Sequence, residues 1–252
     1  MNYKVKLTLV WAVGSLFLGW ATAPVVEDHR LQETRARDLS TLSAGLGEGV
    51  SIAALGGYSV IAANMVWVSM YSDWQYRRTE DVLRKLELAV ALNPHSEFFW
   101  IDGARILAND MPVWEVGDDF AESLFETEQG IAIRRRYARK ALAFLEKAPR
   151  HIAQTPQYWV EKGTIYWRKL DDLDAAIMSF AEAVDTEGVP YFVCRVYAEL
   201  LVKDGQIAEA YRYLSDHYDS LPDDELSAMK PVVRQRLLQL REMLETNRSE
   251  GR

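Results

Sequence analysis

Residues Asp171–Val184 read DDLDAAIMSFAEAV, and Ala176, Phe180 and Ala183 stand four and three apart within them. That spacing puts a large ring between two small residues on one helical face. The same set recurs 34 residues later in GQIAEAYRYLSDHY as Ala210, Leu214 and His217, and 35 residues earlier in RKALAFLEKA as Ala141, Leu145 and Ala148. A fourth copy, Val82, Leu86 and Ala89, lies 59 residues before the Ala141 set. A fixed period near 34 with few strand signals is the mark of stacked helix pairs, each of which buries its face only against its neighbours.

The partner helices keep the same frame. Eighteen residues after Val82, Ala141 and Ala176 stand Trp100, Trp159 and Cys194, followed at plus four by Ala104, Gly163 and Ala198. Leu107, Tyr166 or Trp167, and Leu201 close each set. Small residues let two helices approach closely, and the large ones fill the space to the next pair. This pattern resembles the tetratricopeptide repeat over about residues 58–221. The resemblance implies an all-α fold, a right-handed α-α superhelix or solenoid, with a concave groove that binds a segment of another protein. Trp100, Trp159 and Cys194 are then core residues, with Cys194 buried and inert and His217, in a slot for a small residue, either a packed, neutral imidazole or a local distortion.

The frame divides the chain into units at about 58–94, 97–149, 157–188 and 190–221 within a repeat domain of 56–222. Pro94, Pro156 and Pro190 mark starts of pairs, while LDD at Leu170–Asp172 and KDG at Lys203–Gly205 mark turns. Pro149 ends the second unit early. An insertion at 108–131 also splits that unit, and it carries Asp110, Glu115, Asp118, Asp119, Glu122, Glu126 and Glu128 but no Lys or Arg. Directly after it comes RRRYARK, Arg134–Lys140, so the expectation is an acidic loop paired with Arg134, Arg135, Arg136 and Arg139, with docking of a partner as the rival role. Val233, Leu237, Leu240 and Leu244 form the apolar stripe of a capping helix at 229–246.

Lys4 and Lys6 precede an uncharged run from Leu7 to Ala23, so residues 1–24 read as a signal-anchor or transmembrane segment. Cleavage after Ala21 or Ala23 is an alternative, although Pro24 disfavours the second. Residues 25–55 are polar and rich in Ser, Thr and Gly, a linker. A second uncharged run, Ser51–Ser72, is 22 residues long. The Val82 set requires a first helix just before Arg77, which makes Tyr58–Tyr76 the first repeat helix; a second span and an interfacial helix are the alternatives. With one span the repeat domain faces the periplasm or outside from the inner membrane. With two spans the repeats are cytoplasmic, and Arg77, Arg78, Arg84 and Lys85 after the run suit that arrangement.

A formal charge of -8 and pI near 5.2 argue against a nucleic-acid partner. One cysteine excludes an internal disulfide, and the four histidines have no metal-ligand spacing. The acidic insertion lacks the order of a calcium loop, and no catalytic signature occurs. The expectation is therefore no enzyme, no cofactor and no metal. By the helical phase of the resemblance, the partner-binding groove is lined by Asp102, Arg105 and Asn109, by Glu161, Thr164 and Arg168, and by Arg195, Glu199 and Lys203. The first functional expectation is a membrane-anchored scaffold or adaptor for another protein. The second is a structural or oligomerising component of an envelope assembly of secretion or pilus type, with self-association. The third is an envelope enzyme that uses the acidic insertion.

Overall fold

The computed structural model describes residues 57–250, with side chains described through residue 246. The anchor or signal segment 1–24, the linker 25–55 and the start of the second uncharged run lie outside the described residues. All regular structure within them is helical. None of these helices is long and apolar enough to cross a membrane. The chain divides into two compact units between Asn93 and Pro94.

The first unit is a hairpin of α1 (Ser59–Gln75) and α2 (Thr79–Leu92). Ala62, Ala63, Val66, Trp67 and Met70 of α1 are buried, as are Val82, Leu86 and Ala89 of α2. At the turn, Arg77 takes a left-handed φ of 56°, its N–H donates to Trp74 O at 3.0 Å, and the Arg78 N–H donates to Asp73 O at 2.9 Å. This is a Schellman ending, which satisfies two of the last carbonyls of α1. Ser69 and Lys85 stand equally far from Arg77 in sequence, and the Lys85 ammonium donates to Ser69 O at 3.1 Å, so the two helices run antiparallel. Asp73 is 5% exposed and is held by Lys85 at 2.6 Å and Arg78 at 3.2 Å. The one carboxylate on the inner face of α1 thus ties it to α2.

The second unit begins with α3 (Glu97–Arg105), which continues through a π-helical turn (Ile106–Asp110) into α4 (Met111–Val116). Gly117, at φ 86°, stops it. A 3-10 turn (Asp118–Phe120) and α5 (Ser123–Glu126) lead into α6 (Glu128–Leu145). Then follow α7 (Pro156–Ile165), a second π turn (Tyr166–Leu170), α8 (Leu173–Val184), α9 (Tyr191–Lys203) and α10 (Ile207–Ser220). After a 3-10 turn (Leu226–Ala228), α11 (Lys230–Glu250) ends the described chain. The starts are chemically marked. Thr127, Thr155 and Asp172 accept the N–H of Gly130 at 3.0 Å, Tyr158 at 3.4 Å and Ala175 at 3.0 Å, and Pro156 stands in the first turn of α7.

Sequence neighbours pack together from α7 through α11, and α3 also packs on α6 and α7. Gly163 of α7 and Phe180 of α8 stand equally far from the turn at Asp171 and Asp172. A Cβ on Gly163 would meet the Phe180 ring at 2.6 Å, so the glycine is what admits that ring between the antiparallel helices. Phe180 forms a core with Ala176, Ala183, Val193 and Leu200. Burial of a ring of this size contributes roughly 1.5–3 kcal/mol. A second core joins Ala198, Leu201, Ala210 and Leu214 to Val233 and Leu240 of α11, so the C-terminal helix covers the apolar face of α9 and α10. Its expected stripe is graded: Val233 and Leu240 are buried, while Leu237 and Leu244 are half-buried.

Two expectations need correction. The segment 108–131 is not one solvated loop: Ala108, Met111 and Pro112 are buried within a helix that runs straight on from α3, and α5 buries Leu124. A Cβ on Gly130 would lie 2.0 Å from the Ser123 carbonyl oxygen, which shows how tightly α5 folds onto the start of α6. Nor do all the arginines after it face its acids. Arg136 pairs with Glu115, which also accepts from the Tyr137 hydroxyl at 2.9 Å. Arg134 and Arg135 turn instead to Asp171, at 2.8 and 3.2 Å.

Candidate partner-binding site

The first helices of the second unit, α3, α7 and α9, carry seven of the nine residues expected to line a groove, and the π turns that continue α3 and α7 carry the other two, Asn109 and Arg168. Arg105, Asn109, Arg168, Glu199 and Lys203 are exposed, and Asp102, Thr164 and Arg195 are half-buried. Glu161 departs from the expectation, because only 5% of it is exposed. It is covered where α7 packs against α3, and the Arg105 guanidinium reaches it at 2.8 Å. Burial pushes the Glu161 carboxyl above its ordinary range, and Arg105 opposes that shift without cancelling it. Asn109 and Thr164 donate to carbonyls of their own helices, Arg105 O at 2.9 Å and Val160 O at 2.7 Å.

The α9 end of the strip is closed by the chain itself. Arg195 donates to the Ala228 carbonyl at 3.2 Å, and the Arg236 guanidinium of α11 grips Glu199 as a fork at 2.7 and 2.6 Å. A half-open cleft of about 260 Å³ adjoins this fork, lined by Arg195, Glu199, Leu214, Val233 and Arg236 among others. Lys203 turns the other way: its ammonium lies 5.7 Å from the centre of the Trp167 ring.

Trp167 also carries the Arg168 guanidinium, 4.7 Å from its centre. Next to this pair is a second ring with two cations, Phe125, approached by Arg134 at 5.0 Å and Lys169 at 5.9 Å. The π turn is what sets Trp167, Arg168 and Lys169 at the end of α7. Asp171 follows it in the left-handed region at φ 59° and presents its carboxylate to Arg134 and Arg135. Those two arginines hold the Asp171 carboxyl below its ordinary range. Arg134 is 4% exposed and also donates to Arg168 O at 3.0 Å. Burial, with Arg134 and Arg168 beside it, pulls the Lys169 ammonium below the usual lysine range.

Comparison with protein-family models, curated proteins and solved structures returned no match. The site has to be read from its own chemistry.

Phe125, Trp167 and Lys169 belong to the exposed strip although helical phase did not nominate them. Trp167 was visible as a repeat position, but its ring is half-buried and turned to two cations. The RRRYARK run was visible as charge; its direction was not. The residues expected in the core divide as follows. Trp100 is 4% exposed, packs on Phe144 with 5.0 Å between ring centres, and donates to Pro94 O at 2.9 Å. Cys194 is 5% exposed and burial pushes its thiol up. Trp159 is half-buried, with the Lys162 ammonium 5.4 Å from its centre. His217 is half-buried against Tyr213 and Tyr191, and burial, aided by Arg195, holds its imidazole below the usual range. Among the described residues, no three His, Cys, Asp or Glu side chains converge in a way that could hold a metal ion.

Proposed function

We propose that the chain is a membrane-anchored helical-repeat scaffold or adaptor that binds a segment of another protein and performs no catalysis itself. The helix pairs of the second unit, in this reading, belong to a right-handed α-α superhelix of tetratricopeptide type, and residues 1–24 supply the anchor that holds it on the outer side of the inner membrane. One observation carries the binding reading. Side chains of successive first helices reach one another across an exposed strip, Arg105 of α3 to Glu161 of α7 and Lys203 of α9 to the ring of Trp167, which follows α7. Such a strip, built on packed helices and lined by rings and fixed charges, suits an extended peptide. The α11 helix bounds it at one end.

Photo-crosslinking groups placed at Asn109 and Thr164 of the full chain, in its own membrane, test this. The expected result is a discrete adduct with a different polypeptide, lost on Arg105→Glu together with Arg168→Glu. Absence of any adduct at either position overturns it. Topology follows from a reporter fused after Arg252: activity confined to the cytoplasm contradicts the single-span placement.

The outer face of α1 favours a second reading, the structural or oligomerising component. Val60, Ile61, Met65, Val68 and Tyr71 are each 45–69% exposed on that face. An exposed apolar face of this kind, interrupted by Asn64 and Ser72, marks an interaction surface. Light scattering that finds a monomer at all concentrations removes this reading.

A further inference from the structure

Five cations meet at the end of α7: Arg134 and Arg135 from α6, Arg168 and Lys169 from the π turn, and Lys203 from α9. Asp171 takes two of them. Lys169 feels Asp110 and Glu161 only at a distance, and Glu161 is already held by Arg105. Among the described residues, none of Arg168, Lys169 and Lys203 has a carboxylate within ion-pair reach. They are held instead on two rings, Trp167 between Arg168 and Lys203 and Phe125 between Arg134 and Lys169.

This arrangement costs free energy in the isolated chain. Like charges crowd one another, and Lys169 sits partly desolvated with no counter-ion in contact. Cation–π contacts of about 0.5–1 kcal/mol at exposed sites recover part of that cost and fix the cations in place. The excess positive charge is local in a chain of net charge -8. A carboxylate entering here meets preorganised donors and relieves the repulsion. The surroundings limit its length. Asp118, Asp119, Glu122 and Glu126 on the segment just before α6, and Glu128 at its start, are exposed, and they repel a long polyanion. The faces of Trp167 and Phe125 can cover the methylene stems of an extended chain between its charges.

We infer that the cation–aromatic cluster of Phe125, Trp167, Arg168, Lys169 and Lys203 sets the specificity of the strip and takes a short, carboxylate-rich segment of a partner protein. This rests on the adaptor reading and names the chemistry of its partner.

The probe is a fluorescently labelled peptide of alternating Glu and Ser, titrated by anisotropy into the full chain in detergent, with a Gln and Ser peptide as its neutral counterpart. The expected result is binding of the acidic peptide alone, weakened at least about tenfold by Arg168→Glu with Lys203→Glu and retained in Arg168→Lys with Lys203→Arg. Arg212→Glu, an exposed change on α10, leaves binding unchanged. A rise in salt weakens it. Circular dichroism checks that each variant keeps its helices, and Trp167→Leu supplies a second variant that keeps every charge and still weakens binding. Equal binding of the acidic and neutral peptides overturns the inference, as does equal binding by the charge-reversed protein. Tighter binding of a single-stranded DNA oligonucleotide than of the peptide also overturns it, in favour of a general polyanion site. Should the crosslinked adduct persist while the peptide fails, the adaptor reading stands and the acidic specificity falls.

Discussion

At the scale of the residue, Gly163 decides how closely two helices meet. Gly163→Ala adds helix propensity worth up to about 1 kcal/mol, yet its Cβ would lie 2.6 Å from the Phe180 ring and 3.2 Å from Ser179. Overpacking of this kind costs about 1–3 kcal/mol, so the expected net outcome is a lower Tm, read by thermal denaturation; an unchanged or raised Tm would mean that Phe180 swings aside freely. His217 supplies the pH dependence. Its imidazole is held below the ordinary value of 6.5, first by burial and then by Arg195, so the fold prefers it neutral. The contribution is therefore complete above that value and is lost as pH falls through and below it. Tm measured against pH should show the wild type losing ground to His217→Gln below about pH 6.5, with a constant difference above about pH 7.5. Parallel curves throughout would contradict this. The packing of these two residues was readable from spacing: a small residue four after Trp159 and an imidazole in a small-residue slot. The placing of Lys169 on a ring rather than on a carboxylate was not, because Phe125 and Arg134 come to it from other helices.

At the scale of the element, the insertion shows how pattern and packing part company. Its seven acids and missing cations suggested solvent, yet the helix that begins at Glu97 runs through a π turn to Val116 and buries Met111. Ile106, Leu107 and Ala108 of the π turn are buried as well. Gly130 is the element's weak point. Gly130→Ala places a Cβ 2.0 Å from a backbone oxygen of Ser123, which cannot rotate away. The expected outcome is that α5 lifts from α6, seen as loss of amide hydrogen-exchange protection over 118–127 and as faster proteolysis there, with far-UV helicity nearly kept. Since α5 carries Phe125, the same variant should also weaken the acidic peptide. Unchanged protection over 118–127 would show that α5 adapts. Pro94, Pro156 and Pro190, with the LDD and KDG turns, announce by residue type where helices begin, whereas the caps Thr127 and Thr155 and the course of the insertion show only in the fold.

At the scale of the whole molecule, α11 closes one end of the second unit. It lays Val233 and Leu240 over Ala198, Leu201, Ala210 and Leu214, and it carries the Arg236 fork on Glu199. A chain ending at residue 222 should uncover that face. The expected outcome is a fall in Tm with self-association or dye binding to exposed apolar surface, measured by calorimetry and light scattering; a soluble monomer of unchanged Tm would argue that α11 is not a cap. The truncation also frees Arg195 and Glu199, so any lengthening of the binding strip appears as tighter binding of a longer peptide.

The sequence by itself determined the helical class, the helix starts that Pro156 and Pro190 mark, the apolar triplets that face inward and the excess of acid over base, because each of these depends on residue type and near spacing along the chain. The tertiary structure decided which charges find partners. Arg134 meets Asp171 from 37 positions away, Arg105 meets Glu161 from 56, and Arg236 meets Glu199 from 37. Arg168, Lys169 and Lys203 are left on aromatic rings, with no carboxylate among the described residues in ion-pair reach. Ion pairing and cation–π attraction fall off within a few ångströms of through-space distance, so no reading of helical phase along one strand of chain could have ranked them.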